Sequence, residues 1–315
     1  MSIILWSIVF IGSLFTLIKS SDYFTNSAEK IGVYFGFPAF VVGATIVAFG
    51  TSLPELVTSI LAVMRNSSEI VVGNVLGSNI ANIFLVLGIA AIISKKIKIT
   101  YEIVHVDLPF LVGSTFLLAI TIRDKSFHLP EALIFILGLI IFIQYTIEKN
   151  MKKGTSKGNE KSQKKKSFPF LDIFVLVISS IFIFLGAKYT IEAVINLSKI
   201  LSLKKEIIAV SAVALGTSLP ELAVTIISTK KGNSEIAVGN VIGSNLFNTF
   251  AVMGIPALFG SLVIPASIIT FVLPMMVISV ILFYVICQDN EVTKWEGWLL
   301  ILFYIYFSCK IFNII

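Results

Sequence analysis

Residues 44–89 read ATIVAFGTSLPELVTSILAVMRNSSEIVVGNVLGSNIANIFLVLGI, and residues 210–255 read VSAVALGTSLPELAVTIISTKKGNSEIAVGNVIGSNLFNTFAVMGI. The two stretches align without a gap at an offset of 166 residues, with 25 of 46 positions identical. A match of that length is an internal repeat. Outward from it, the chain is a series of apolar runs between polar breaks: 3–19, 36–64, 69–93, 104–122, 130–148, 169–189, 203–229, 235–260, 264–287 and 295–313. Each approximates the length of about 20 residues that a helix needs to cross the hydrocarbon of a bilayer. The offset encloses five spans, an odd number, so the second copy enters the membrane with opposite polarity. The expected fold is an all-α polytopic membrane protein with ten transmembrane helices in two inverted-topology five-helix repeats, 1–148 and 169–315, joined by a linker at 149–168. Inverted repeats are an architecture of secondary transporters, which bind substrate near the midplane where the repeats meet.

Composition agrees. Of 315 residues, 57% are hydrophobic and 13% charged, with a mean hydropathy of +0.97. A soluble domain carries roughly a quarter charged residues, so soluble, fibrous, disordered and nucleic-acid-binding classes are excluded. The net charge is +6, and the linker alone holds eight of the 24 basic residues: Lys149, Lys152, Lys153, Lys157, Lys161, Lys164, Lys165 and Lys166. The positive-inside rule then places the linker in the cytoplasm and both termini outside a cell membrane. This orientation depends on the linker, because the other sixteen basic residues divide evenly between the two sides. Met1 to Lys19 lacks a basic leader and a small-residue cleavage site, and reads as a retained first span. Cys287 and Cys309 read as small hydrophobes in apolar segments, and His105 and His128 lie near helix ends without metal-ligand spacing.

The polar residues inside the repeat carry the chemistry. Gly50-Thr51-Ser52-Leu53-Pro54-Glu55-Leu56 recurs as Gly216-Thr217-Ser218-Leu219-Pro220-Glu221-Leu222. A carboxylate at the centre of a membrane helix costs about 2.5 to 3.5 kcal/mol and normally faces a cavity or a partner. No Lys or Arg lies in the central part of either span, so Glu55 and Glu221 need a proton, a mobile cation or each other. Pro54 and Pro220 remove an N–H and crowd the carbonyls of Gly50 and Gly216. A break of each span into two half-helices is expected there, with freed carbonyls suited to a cation.

The second block is Gly73-Asn74-Val75-Leu76-Gly77-Ser78-Asn79 with Asn82, matched by Gly239-Asn240-Val241-Ile242-Gly243-Ser244-Asn245 with Asn248. Ser78 and Asn82, like Ser244 and Asn248, are four apart and share a helix face. They read as oxygen ligands, while Asn74, Asn79, Asn240 and Asn245 read as packing or supporting residues. Ser67, Ser68 and Glu69, with Asn233, Ser234 and Glu235, read as ordinary helix starts. Every candidate ligand is an oxygen, so the cation is hard. Two bidentate carboxylates with the carbonyls of Thr51 and Thr217 supply about six oxygens, the lower end of the calcium range. Two negative charges balance one Ca²⁺ or two Na⁺.

These paired blocks resemble the alpha-repeats of the calcium/cation antiporter superfamily, and most closely its prokaryotic sodium/calcium exchangers. The resemblance implies electrogenic exchange of three Na⁺ for one Ca²⁺, with the first and sixth spans sliding against the motif-bearing bundle. Ca²⁺ would be held by Glu55 and Glu221 with the carbonyls of Thr51 and Thr217. Flanking Na⁺ sites would use Ser52, Ser218, Ser78, Ser244 and the carbonyls of Ala48 and Ala214, with Asn82 and Asn248 between. Some relatives, including potassium-dependent ones, carry Asp where this chain has Asn248, which argues against a co-transported K⁺. The proton-coupled branch places an acid where this chain has Gly77 and Gly243, so sodium coupling is expected over Ca²⁺/H⁺ or other divalent cation/H⁺ exchange. An intramembrane enzyme is disfavoured by the lack of any nucleophile-histidine or metal-hydrolase spacing, and a channel by the inverted symmetry. The expected partners are Ca²⁺, Na⁺ and the lipid bilayer, with no cofactor, nucleic acid or obligate protein partner.

Overall fold

The computed structural model describes residues 3–64, 66, 68–99, 103–104, 106–156, 168–200 and 218–311. The helices are α1 Ile3–Phe35, α2 Ala39–Met64, α3 Glu69–Ser94, α4 Asp107–Thr121, α5 Leu129–Ser156, α6 Phe170–Ile200, α7 Leu219–Lys230, α8 Ser234–Ala257, α9 Ile268–Asp289 and α10 Lys294–Ile311. Seven of the described helices are long and apolar enough to cross a membrane. The ten occupy the ten expected runs; residues 203–217 of the seventh run lie outside the described residues.

The inverted repeat is visible in the smallest elements. Strand β1 (Lys96–Lys98) pairs antiparallel with β4 (Glu291–Thr293), and β2 (Ser126–Phe127) with β3 (Leu262–Val263). Shifting Lys96↔Thr293 and Ile97↔Val292 by the repeat offset gives Leu262↔Phe127 and Val263↔Ser126, the register observed. Each pair joins one strand from each half, so the two halves are stitched together by symmetry-related clasps. The Lys96–Glu291 ion pair at 2.6 Å adds to one of them.

Burial sorts the helices into an inner bundle and an outer layer. The apolar window of α8 is wholly buried and that of α3 is 72% buried, against 11% for α1 and 22% for α5 and α6. The outer helices expose apolar side chains such as Ile8, Phe15, Phe174 and Leu137, which suit lipid. Close approach of α2 and α8 depends on small residues. A Cβ at Gly243 would lie 2.6 Å from the Cα of Ala44, and one at Gly43 would lie 2.9 Å from the Cα of Ile236. Helices α1 and α6 pack antiparallel along their length: Thr190 Oγ1 donates to Ser13 Oγ at 2.9 Å near one end, and Lys30 meets Asp172 at 3.1 Å near the other.

Four expectations are corrected. The first span does not stop at residue 19, because α1 runs to Phe35. Its polar residues are helical because Ser20, Ser21 and Thr25 return their hydroxyl protons to carbonyls four residues back. The linker does not begin at 149 as coil, since α5 continues to Ser156; residues 157–167 lie outside the described residues. Helix α2 is not broken at Pro54. It is α-helical from Ala48 to Met64, and its irregularity is a π-helical turn at Gly43–Val47, upstream of the proline. In the second repeat, α7 starts at Leu219 with Pro220 in its first turn, where a missing N–H costs little. Finally, Ser68 and Asn233 do not cap their helices through their side chains. Ser68 Oγ instead accepts from Val263 N at 3.1 Å, and Asn233 Nδ2 donates to Glu29 at 2.9 Å.

Candidate cation site

Helices α2 and α7 bring the two acidic motifs together, and α3 and α8 lie beside them with the amide motifs. Glu55 and Glu221 are 4% and 2% exposed, so both carboxylates are sealed in the bundle. Ser52 lies one turn before Glu55 on α2 and donates to Glu221 Oε1 at 3.0 Å, which places both acids in one neighbourhood. Thr51 Oγ1 reaches Val47 O at 3.1 Å, Ala48 O at 3.3 Å and Asn240 Oδ1 at 3.3 Å. Of the twelve candidate ligands, Thr217 and Ala214 lie outside the described residues. The other ten, Glu55, Glu221, Thr51, Ser52, Ser218, Ser78, Ser244, Asn82, Asn248 and Ala48, are all buried.

The hydrogen bonds around the site obey the repeat. Asn74 Nδ2 donates to Ser59 Oγ at 3.2 Å, and its image Asn240 Nδ2 donates to Thr225 Oγ1 at 3.0 Å. Asn82 Nδ2 donates to Asn245 Oδ1 at 3.2 Å, and Asn248 Nδ2 donates to Asn79 Oδ1 at 3.2 Å. The last two bonds cross between repeats and are images of each other. Asn82 and Asn248 also open π-helical turns, Asn82–Leu87 and Asn248–Val252. Such turns loosen the main-chain ladder and recur at functional sites. All four of Asn74, Asn79, Asn240 and Asn245, read from the sequence as packing or supporting residues, take part in these bonds. Ser59 and Thr225 are further buried members of the network. Their signal in the sequence was a hydroxyl kept at both copies of one repeat position.

Within the repeated motifs the hydrogen bonds leave seven oxygens and one nitrogen, Asn245 Nδ2, buried without a partner among the described residues; one of the oxygens is Asn74 Oδ1, and the other six belong to candidate ligands. These six are Glu55 Oε2, Glu221 Oε2, Asn82 Oδ1, Asn248 Oδ1, Ser78 Oγ and Ser218 Oγ. Buried polar atoms are ordinarily paired, and each unpaired one costs about 1–3 kcal/mol. The six on candidate ligands, three from each repeat, are of the donor type that a hard cation takes. Among the described residues no cluster of three His, Cys, Asp or Glu side chains could hold a metal. The negative charge of the set therefore comes from two carboxylates and the rest of it from neutral oxygens.

Comparison with known proteins matches the sodium/calcium exchanger protein family model twice, over residues 5–147 and 171–312. The sodium/calcium exchanger MaX1 of Methanosarcina acetivorans is 34% identical, with 98% of each chain covered. The inner membrane protein YrbG of Escherichia coli is 29% identical over 78% of this chain and 77% of its own. Among solved structures, the sodium-calcium exchanger NCX_Mj soaked with 10 mM Na⁺ and zero Ca²⁺ superposes with a TM-score of 0.82 at 30% identity, covering 97% of this chain and 98% of its own. With two family-model matches spanning nearly all of a ten-helix inverted repeat, the chain belongs to the sodium/calcium exchanger family.

Proposed function

We propose that the chain is an antiporter that exchanges three Na⁺ for one Ca²⁺ by alternating access, with the two halves 1–148 and 169–315 contributing equivalent ligands. The observation that carries this reading is that candidate ligands of both repeats, the two carboxylates among them, hold buried oxygens without a hydrogen-bond partner among the described residues. Ca²⁺ binds Glu55 and Glu221 with the carbonyls of Thr51 and Thr217. Na⁺ uses Ser52, Ser218, Ser78, Ser244 and the carbonyls of Ala48 and Ala214, and Asn82 and Asn248 complete the centre. Coupling follows from electrostatics. Two uncompensated carboxylates are too costly to carry through a low-dielectric bundle, so the halves rearrange only when cations neutralise them. Emptying the site to one side therefore requires refilling it before return. Three Na⁺ against one Ca²⁺ moves one net charge, worth about 2.3 kcal/mol per 100 mV. The basic segment 149–168 lies in the cytoplasm and both termini outside, and an inward Na⁺ gradient drives Ca²⁺ out.

The test is ⁴⁵Ca²⁺ uptake by proteoliposomes of the full chain, with Na⁺, K⁺ and H⁺ gradients imposed separately and the membrane potential clamped. A Na⁺ gradient drives uptake, and Glu55→Gln or Glu221→Gln abolishes it. Near-normal uptake in both variants overturns the site, and uptake driven by a pH gradient alone selects cation/H⁺ exchange.

A further inference from the structure

Asparagine is nearly symmetric in shape but not in charge: its oxygen attracts a cation and its NH₂ repels one. A ligand asparagine is useful only if something fixes which end faces the ion. In this protein the two ligand amides are fixed by the opposite repeat. Asn82 spends its NH₂ on Asn245 Oδ1, and Asn248 spends its own on Asn79 Oδ1, both at 3.2 Å. The oxygens of Asn82 and Asn248 are the ends left buried and unpartnered. Asn79 is in turn held by donating to Asn245 O at 3.3 Å and to Thr249 Oγ1 at 3.0 Å. It cannot turn its own amide without breaking both bonds.

We propose that Asn79 and Asn245 are positioning residues of the central cation site, each locking the amide of the ligand asparagine in the other repeat so that its oxygen faces the ion. The proposal rests on the exchanger reading and adds to it a constraint on charge. The acceptor that Asn79 presents to position 248 requires a donor there. A carboxylate at 248 would set oxygen against oxygen unless it carried a proton. The neutral centre of this chain is thus written into the opposite repeat as well as into position 248 itself. It also ties the halves together at the ion, because neither ligand amide is oriented by its own repeat.

Asn245 gives the sharper test, since its only side-chain hydrogen bond among those described is the one it accepts from Asn82. The probe is Ca²⁺, titrated calorimetrically into the purified full-length chain in detergent. Asn245→Leu weakens binding about tenfold, the equivalent of about 1.4 kcal/mol. If Asn245 acts through Asn82, the same substitution in an Asn82→Ala background changes affinity less than twofold, because the lock has nothing left to hold. Equal losses in both backgrounds overturn the proposal, since a merely structural role adds independently. Should Asn245→Leu fail to fold, the mirror cycle of Asn79→Leu with Asn248→Ala reads the same coupling and is judged by the same rule. Wild-type chain that binds no Ca²⁺ would instead overturn the exchanger reading, so the two failures are distinguishable.

Discussion

Gly243→Ala is the perturbation whose cost can be worked most directly from the packing. Gly243 faces the π-helical turn of α2, and a Cβ there would lie 2.6 Å from the Cα and carbonyl carbon of Ala44 and closer still to its oxygen. Ordinary van der Waals contact begins at 3.4 Å, so the α2 backbone must withdraw by more than an ångström at the Ala44 oxygen. Backbone cannot swing away as a side-chain tip can. Overpacking of this kind costs about 1–3 kcal/mol, and alanine's better helix propensity returns at most about 1 kcal/mol. The net expectation is a loss of about 1–2 kcal/mol. Withdrawal of α2 also carries Thr51 away from Asn240 Oδ1, now at 3.3 Å, so Ca²⁺ affinity falls with stability. Equilibrium unfolding in mixed SDS micelles measures the first effect and calorimetric titration the second. Gly113→Ala on α4 is the control, because a Cβ there meets nothing within 4 Å among the described residues. It should be neutral or stabilising by up to about 1 kcal/mol. If Gly243→Ala is as stable as Gly113→Ala and binds Ca²⁺ normally, the close α2–α8 contact is not what places the site.

Two further outcomes follow from individual contacts. Lys231 pairs with Asp22 and donates to Asn26 Oδ1 at 2.7 Å, tying the end of α7 to α1; because the pair is partly exposed, Lys231→Ala should cost less than about 1 kcal/mol, and less again in high salt, by the same unfolding assay. Ile83 stands where the second repeat has Thr249, the acceptor for Asn79, and the Nδ2 of Asn245 is accordingly buried without a partner; Ile83→Thr supplies that acceptor and should be at least as stable as the isosteric Ile83→Val, a result reversed if burying the hydroxyl costs its usual 1–3 kcal/mol.

The sequence was most informative where chemistry is duplicated. Glu55 and Glu221 stand out because an acid in an apolar run is expensive and appears twice, and the paired motifs then place α2, α3, α7 and α8 around one centre. Less legible was anything decided by hydrogen bonds within a helix. Ser20, Ser21 and Thr25 look like a polar break in the first span, yet each hydroxyl satisfies itself on the preceding turn and α1 continues. Pro54 looks like a break for a sound steric reason, but the bundle around it tolerates one missing hydrogen bond and the distortion appears upstream, at Gly43–Val47. The crossed amides were out of reach altogether, because nothing in the spacing of Asn79 and Asn82 says that each will bond to the other repeat.

The repeats carry matching candidate ligands but do not bond them identically, and the alternating access proposed above requires such a difference. Ser52 donates to Glu221 Oε1 at 3.0 Å, whereas its image, Ser218, leaves its hydroxyl unpartnered and does not reach Glu55. Two inverted halves that were truly symmetric at the site would open equally to both sides. A transporter instead holds one asymmetric arrangement and reaches its mirror by exchanging the roles of the halves. The arrangement in hand therefore predicts its partner: a state in which Ser218 donates to Glu55 and Ser52 is released. A hydrogen bond to a charged group is worth about 1.5–3 kcal/mol, so losing it should matter mainly in the state that makes it. Measured in right-side-out and inverted vesicles, Ser52→Ala should raise the Ca²⁺ half-saturation at least tenfold at one face and little at the other, with Ser218→Ala showing the opposite preference. Equal effects of both variants at both faces would mean that the unequal serines are not coupled to which side is open.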